Sequence, residues 1–323
     1  MSKVHITKTA EVSLTGHGKR ADVVLADLFP DYSRSQLSSW LKEGLITFNK
    51  KVVRPKDKVF EGDEVNLQVD FTTSDDEGYL AQALPLNIVF EDDYLLIINK
   101  PAGLVVHPGA GNPSSTLVNG LVHYNESLNQ LPRAGIVHRL DKDTTGLLIV
   151  AKTLTAYTAL VRQMQNREIN RQYKALVYGD VISGDKIETY FARHPKNRLK
   201  MAVTRQGKEA VTEFSVLKRY EQYTLLDVKL WTGRTHQIRV HMAHIRHPIV
   251  GDQLYAGRKH SLKHAPGLLK NAIACFSRQA LHAYHLSLMH PETHEDLTFT
   301  APMPDDFYEL ISLLDNEDED HIS

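Results

Sequence analysis

The chain has 323 residues, 42% apolar and 24% charged, which suits a folded protein long enough for two domains. Its 38 Lys and Arg balance 39 Asp and Glu, so net charge gives no sign of a nucleic-acid partner, and any basic surface must come from local segregation. The one cysteine, Cys275, excludes an intrachain disulfide and a thiolate metal cluster; with no signal-peptide core in MSKVHITKTAEVS and no bilayer-length apolar run, a soluble cytoplasmic protein is expected.

After a polar start, Lys19 to Phe29 carries apolar residues compatible with a helix stopping at Pro30. A second helix is expected in YSRSQLSSWLKEG, with Ser33 as cap, Leu37, Trp40 and Leu41 at helical spacing, and Gly44 as stop. LITFNKKVVRPKDKVFEGDEVNLQVD then reads as short strands, with turns at Asn49-Lys50 and Glu61-Gly62-Asp63. Between Lys19 and Lys58 basic residues outnumber acidic ones nine to five, so this first unit is locally basic. The acidic, aperiodic DFTTSDDEGYLAQ reads as a linker.

The remainder is rich in strand-like runs: LNIVFEDDYLLIINKP as a hairpin, then TGLLIVAK, RQYKALVYGD, AVTEFSVLKRY and YTLLDVKLW. A helix carrying Tyr157, Leu160, Val161 and Met164 separates the second run from the third. Strands outnumber helices and hairpins dominate, which predicts an α+β unit with a mainly antiparallel sheet. The tail DNEDEDHIS reads as a frayed, solvated end.

Three stretches could carry chemistry. In AGIVHRLDKDTTGLLIVAK, a strand reading puts Arg139 and Asp141 on one face and Leu140 in the core; this describes a structural ion pair as readily as an active-site carboxylate. In NREINRQYKALVYG, Tyr173 lies among Arg167, Arg171 and Lys174, as a surface stacking a base beside a phosphate would need, although an ordinary amphipathic strand reads the same way. In WTGRTHQIRVHMAHIRHP a helix capped by Thr235 and carrying Ile238, Met242 and Ile245 is expected. Its His241, His244 and His247 invite a metal reading, which the interleaved arginines and the missing Glu base oppose. GAGNPSSTL lacks the Lys of a phosphate loop, and no nucleophile elbow or deaminase motif is present. A cofactor-free, metal-free site of Asp, Arg and Tyr is therefore expected.

HRLDKDTTGLLIVAK, NRQYKALVYG and GRTHQIRVHMAHIRHPIVGD, in this order, resemble the motifs of the RluA class of pseudouridine synthases, and NKPAGLVVHPGAGNP extends the match. Lys19-Arg20-x-Asp22, Ser33-Arg34-Ser35, Gly44 and Gly62-Asp63 resemble an S4 RNA-binding domain. The resemblance implies an N-terminal extension at 1–16, an S4-like domain of two helices and short strands at 17–76, and a linker at 77–87. It then implies a catalytic domain with a bent, mainly antiparallel sheet flanked by helices at 88–308, and an acidic tail at 309–323. It implies an isomerase that turns uridines of large-subunit (23S) ribosomal RNA, in the helix 69 stem-loop, into pseudouridine by base flipping. Asp141 would be the essential carboxylate, Arg239 its partner, Tyr173 the stacking ring and Arg139 the stand-in for the flipped base. His138, Arg234, Lys19, Arg20 and Arg34 would contact RNA. The expected partner is large-subunit ribosomal RNA or a pre-ribosomal particle, with no membrane and a monomeric chain. The alternatives are another ribosomal or transfer RNA site, or a non-catalytic RNA-binding assembly factor.

Overall fold

The structure, a computed structural model, describes residues 4–29, 34–71, 79–109, 111–197, 199–257 and 267–322. The chain separates into two units, Met1–Gly78 and Tyr79–Ser323.

The first unit begins with strand β1 (Val4–Glu11), followed by helices α1 (Ala21–Leu28) and α2 (Arg34–Lys42) and strands β2 (Ile46–Phe48) and β3 (Glu64–Phe71). The three strands form one antiparallel sheet in the order β1-β3-β2. In α1 Ala21, Val24 and Leu25 are buried, and in α2 Leu37, Trp40 and Leu41, both sets at helical spacing. They pack on Ile46, Phe48, Val65 and Leu67 of the sheet; each such side chain contributes about 1.5–3 kcal/mol relative to exposure. One expectation changes. The segment read as an extension at 1–16 supplies β1, paired with β3 from Val4↔Phe71 to Glu11↔Glu64. The Ser33 cap and Pro30 lie outside the described residues.

The second unit contains β4 (Ile88–Glu91), β5 (Leu95–Lys100), α3 (Leu117–Tyr124), β6 (Thr145–Ala151), α4 (Leu154–Gln165), β7 (Asn170–Tyr178) and β8 (Asp185–Arg193). It continues with β9 (Met201–Thr204), β10 (Lys208–Arg219), β11 (Tyr223–Leu230), α5 (Gln237–His244), α6 (Gly267–Cys275), β12 (Leu281–Met289), β13 (Asp296–Thr300) and α7 (Asp305–Ile322). The strands form a single sheet in the order β4-β5-β6-β12-β7-β11-β10-β8-β9, with β13 on β12. All its strand pairs are antiparallel except β6 with β12. The helices lie against this sheet, so the unit is α+β.

Every residue of β6 is buried, as a strand covered on both faces requires. Strand alternation divides the core: Leu96, Ile98, Leu148 and Val150 join the main cluster with α3 and α7, while Leu95, Ile97, Leu147 and Ile149 pack with Ala156 and Leu160 of α4. Gly146 permits the parallel contact: at φ +114° a Cβ there would lie 2.2 Å from the Ala283 carbonyl oxygen.

The acidic tail is also corrected. Residues 305–322 are one helix, and its first half buries Phe307, Leu310, Ile311 and Leu314 in the main core. Among the described residues no helix is long and apolar enough to cross a membrane.

Candidate active site

The HRLD segment is a loop, because regular pairing of β6 begins only at Thr145. The alternation expected of a strand nevertheless survives: Leu140 is buried while Arg139 is exposed and Asp141 half-buried. The loop is tied down at several points. Ile136 bridges to Val150, and the Ile149 N–H donates to His138 Nε2 at 3.1 Å. The Thr144 N–H closes a turn onto the Asp141 carbonyl at 3.1 Å, and Gln279 Nε2 donates to Thr144 Oγ1 at 2.9 Å.

Lys100 secures the residue after Asp141. Fully buried at the end of β5, its ammonium donates to the carbonyls of Pro101 (2.7 Å), Leu104 (3.0 Å) and Lys142 (2.8 Å). All three of its N–H donors are thus used. Burial pushes its pKa down to about 7, against the opposing pull of Asp143 and Asp141.

On the far side stands Arg239, in the first turns of α5. Its Nη1 donates to Asp141 Oδ2 at 2.9 Å, while Nε and Nη2 form a fork on Asp252 at 2.7 and 2.9 Å. Asp252 is itself fixed by the N–H groups of Leu254 (2.9 Å) and Tyr255 (3.0 Å). Burial acts to lower the pKa of Arg239, but the Asp252 hydrogen bond and the charges of both carboxylates overcome it and hold the guanidinium protonated. His236 Nε2 lies 3.9 Å from Asp141 Oδ1.

Tyr173 comes from the middle of β7. It is 4% exposed, and burial, reinforced by Asp141, raises the pKa of its phenol, so the ring is neutral. Arg171 shares its face of the strand, whereas Lys174 projects the other way and lies over Tyr284, 5.2 Å from the ring centroid. The expected interleaving of Tyr173 with Lys174 is therefore corrected by the two-residue period. Arg171 is buried and its Nε has no partner among the described residues.

His138, Asp141, Arg171 and Tyr173 line one open cavity of about 840 Å³. Arg133, Arg139, Arg167, Arg171 and Arg234 border it, and Asp141 is the only acidic residue on its described walls. Such a surface attracts a polyanion in a chain whose net charge is near zero. A recess of about 40 Å³ beside Asp141 and Tyr173 is closed by His236, Arg239 and Leu281. Arg234 Nε donates to the Glu209 carbonyl at 2.9 Å, which holds that side chain at the wall.

His138 is 8% exposed and borders the cavity, with Nε2 accepting the Ile149 N–H and Nδ1 without a partner among the described residues; burial first, then Arg171, lowers its pKa to about 3. Thr235 is not the cap of α5, because His236 occupies that position at φ 58°. His241 bonds Thr189 and Thr212, and His247 the Tyr178 carbonyl; among the described residues no group of three or more His, Cys, Asp or Glu is placed to hold a metal ion. Asp252, Lys100 and Tyr255 were not anticipated. An arginine buried on a helix needs a carboxylate beyond an already part-exposed partner, and the Gly251-Asp252 turn was the signal that could have supplied it.

In the first unit Lys19 is exposed, and Arg20 forms a fork on Asp22 with both bonds at 3.0 Å. Arg20, Lys42, Arg54 and Lys56 line a groove there with one acidic residue, Asp57. Arg34 opens α2, and its side chain lies outside the described residues.

Comparison with known proteins agrees with both units. The RNA pseudouridylate synthase family model matches residues 94–244, and the S4 domain model matches residues 19–65. Two solved structures share the fold over most of this chain. Human RNA Pseudouridylate Synthase Domain Containing 4 has a TM-score of 0.56 at 23% identity, covering 71% of this chain and 93% of that one. Human RNA Pseudouridylate Synthase Domain Containing 1 has a TM-score of 0.52 at 23% identity, covering 72% and 95%. Among curated proteins, Ribosomal large subunit pseudouridine synthase D of Pasteurella multocida is 49% identical over 96% of this chain and 95% of its own. Its namesake from Escherichia coli K12 is 46% identical over 97% and 96%. With identity of this order along nearly the whole length of both chains, an S4 domain ahead of the catalytic fold and the two matched models in sequence, the chain belongs to the RNA pseudouridylate synthase family.

Proposed function

We propose that this protein isomerises uridines of large-subunit ribosomal RNA to pseudouridine, with the helix 69 stem-loop as its target and Asp141 as the reacting carboxylate. The observation that carries the reading is the placement of Asp141: among the described residues it is the one acid lining an arginine-walled cleft, held by Arg239 at 2.9 Å beside the buried ring of Tyr173. The names of the relatives support the choice of RNA.

The reaction breaks the bond from uracil N1 to ribose C1′, turns the base and joins C5 to C1′, so no atom is gained or lost. The target leaves its stack at a cost of about a few kcal/mol, least where pairing is weak. Arg139, exposed at the cleft, fills the vacated space, and the arginine walls take the flanking phosphates. The extruded base stacks on Tyr173, which contributes roughly 1–3 kcal/mol. Asp141 acts on the ribose, with Arg239 keeping one carboxylate oxygen in place. The basic groove of the S4 domain holds a neighbouring stretch of RNA and raises its effective concentration at the cleft. The chain acts as a monomer in the cytoplasm, where such a substrate is assembled.

The test is Asp141→Asn with site-resolved mapping of pseudouridine in 23S RNA. The variant is expected to bind RNA nearly as the parent does and to form no product. Normal product from it would overturn the assignment, and product at sites other than helix 69 would overturn the target.

A further inference from the structure

Arg239 occupies Oδ2 of Asp141, and the second oxygen, Oδ1, faces His236 Nε2 at 3.9 Å. His236 sits immediately ahead of α5 at φ 58°, ψ 21°, a left-handed conformation unfavourable for a residue with a Cβ. The following residue holds the backbone there: Gln237 Oε1 accepts the Arg234 N–H at 2.9 Å, and Gln237 Nε2 donates to the Val211 carbonyl at 3.0 Å. A strained position maintained by such bonds, with its ring beside the carboxylate, is a candidate for a role in the reaction.

The proton on the ring can be placed from its neighbours. His236 Nδ1 lies 2.8 Å from the Tyr255 hydroxyl, and that hydroxyl accepts the Met201 N–H at 2.9 Å. A phenol has one hydrogen to give. Directed to Nδ1, it satisfies both partners and leaves the imidazole proton on Nε2, the atom facing Asp141. Tyr255 is itself anchored, with its N–H on Asp252 Oδ1 at 3.0 Å and the Arg239 guanidinium 5.1 Å from its ring centroid. One network thus orients both groups that face the carboxylate.

A span of 3.9 Å is too long for a direct hydrogen bond, but an oxygen about 2.8 Å from each atom closes a triangle on it. That oxygen must accept from the Nε2–H and donate to Oδ1. Around the C1′ atom of a uridine, the ring oxygen and the base carbonyl can only accept, whereas the 2′-hydroxyl does both. We propose that His236, oriented by Tyr255, binds the 2′-hydroxyl of the target ribose between its Nε2–H and Asp141 Oδ1, so that the site reads the target sugar as ribose.

The inference rests on the reading of Asp141 given above, and the test separates the two. With the parent protein, dissociation constants are measured for a product stem-loop RNA in which pseudouridine already occupies the target position, on ribose or on 2′-deoxyribose, so that no turnover intervenes and Oδ1 remains an acceptor. The ribose form is expected to bind roughly three- to tenfold more tightly, the worth of one hydrogen bond. His236→Phe should bring the ratio to about one, and His236→Gln, which keeps an N–H, should restore part of it. An unchanged ratio in the His236→Phe background overturns the proposal. Should His236→Phe fold poorly, imidazole nitrogen NMR of the parent decides, with His236→Gln assigning the signal. A proton on Nε2 is expected, moving partly to Nδ1 in Tyr255→Phe; a proton on Nδ1 in the parent overturns the proposal. Activity retained by Asp141→Asn would instead overturn the catalytic assignment.

Discussion

Asp252 grips Arg239 through two parallel hydrogen bonds of 2.7 and 2.9 Å, which leaves the guanidinium a single edge, Nη1, for Asp141. The side chain of Asp252 has no exposure and that of Arg239 has 9%. The fork therefore fixes the direction from which Asp141 is held.

Replacing Asp252 should consequently damage both stability and turnover. Asp252→Ala leaves a buried guanidinium partly unpaired and is expected to cost about 3–5 kcal/mol in urea denaturation. Asp252→Asn, nearly isosteric, should cost less stability but let Arg239 shift, and a misplacement of about 1 Å can lower kcat roughly 100-fold. Single-turnover rates at saturating RNA measure this; an unchanged rate in Asp252→Asn would remove the orienting role.

Tyr173 separates packing from stacking. Tyr173→Phe keeps the ring and should bind stem-loop RNA within about twofold of the parent, since its contribution is the aromatic face. Tyr173→Leu keeps most of the buried volume without that face. It should lose roughly 1–3 kcal/mol of RNA affinity, and fluorescence anisotropy with labelled RNA checks this. Equal loss in the two variants would point to the hydroxyl instead.

Lys100 makes stability depend on pH above neutrality. Its folded pKa is about 7 against an ordinary 10.5, so between those values the unfolded chain carries a proton that the native chain has released. Stability contributed through this group therefore rises as pH increases from 7 towards 10, by at most about 1.4 kcal/mol per pH unit. Lys100→Met should be less stable at pH 7, because three carbonyls lose their donor, and should lack this rise. Urea denaturation at pH 7 and 9 on both proteins gives the comparison.

His138 acts in the opposite range. Its folded pKa of about 3 lies below the ordinary 6.5, so as pH falls below 6.5 the unfolded chain takes up a proton that the native ring refuses. Stability is lost on acidification, with this one histidine contributing about 2 kcal/mol by pH 5. His138→Gln should flatten the decline between pH 6.5 and 5, provided that its amide oxygen accepts the Ile149 N–H. An identical slope in both proteins would mean that other groups carry the acid sensitivity.

Much of the fold was legible where burial has a clean period. TGLLIVAK, buried at every strand position, and Leu37, Trp40 and Leu41, spaced as a helix face, announce their elements. LHAYHLSLM, the strand between β6 and β7, was not anticipated, because His282 and His285 obscure the apolar pattern; His282 is buried through bonds to Thr145 and the Ala301 carbonyl. The first-unit strand VHITKTAE and the helix at the acidic end were misread for a related reason. The strand VHITKTAE is polar in composition and pairs with β3 through its backbone, and the acidic end continues a helix whose buried face lies upstream.

The sequence by itself determined the two units, the order of the motifs and the presence of Asp141, Tyr173 and Arg239, because local periodicity and residue chemistry are properties of short segments. Only the tertiary structure decided that Asp141 and Arg239, 98 residues apart, share a hydrogen bond, that HRLD is a loop whose next residue, Lys142, is held by Lys100, and that Asp252 stands behind Arg239. The reason is the strand order. β12 enters between β6 and β7, and β11 then lies on the other side of β7 and leads into α5, so the loop before β6, the face of β7 and the start of α5 come to border one cleft.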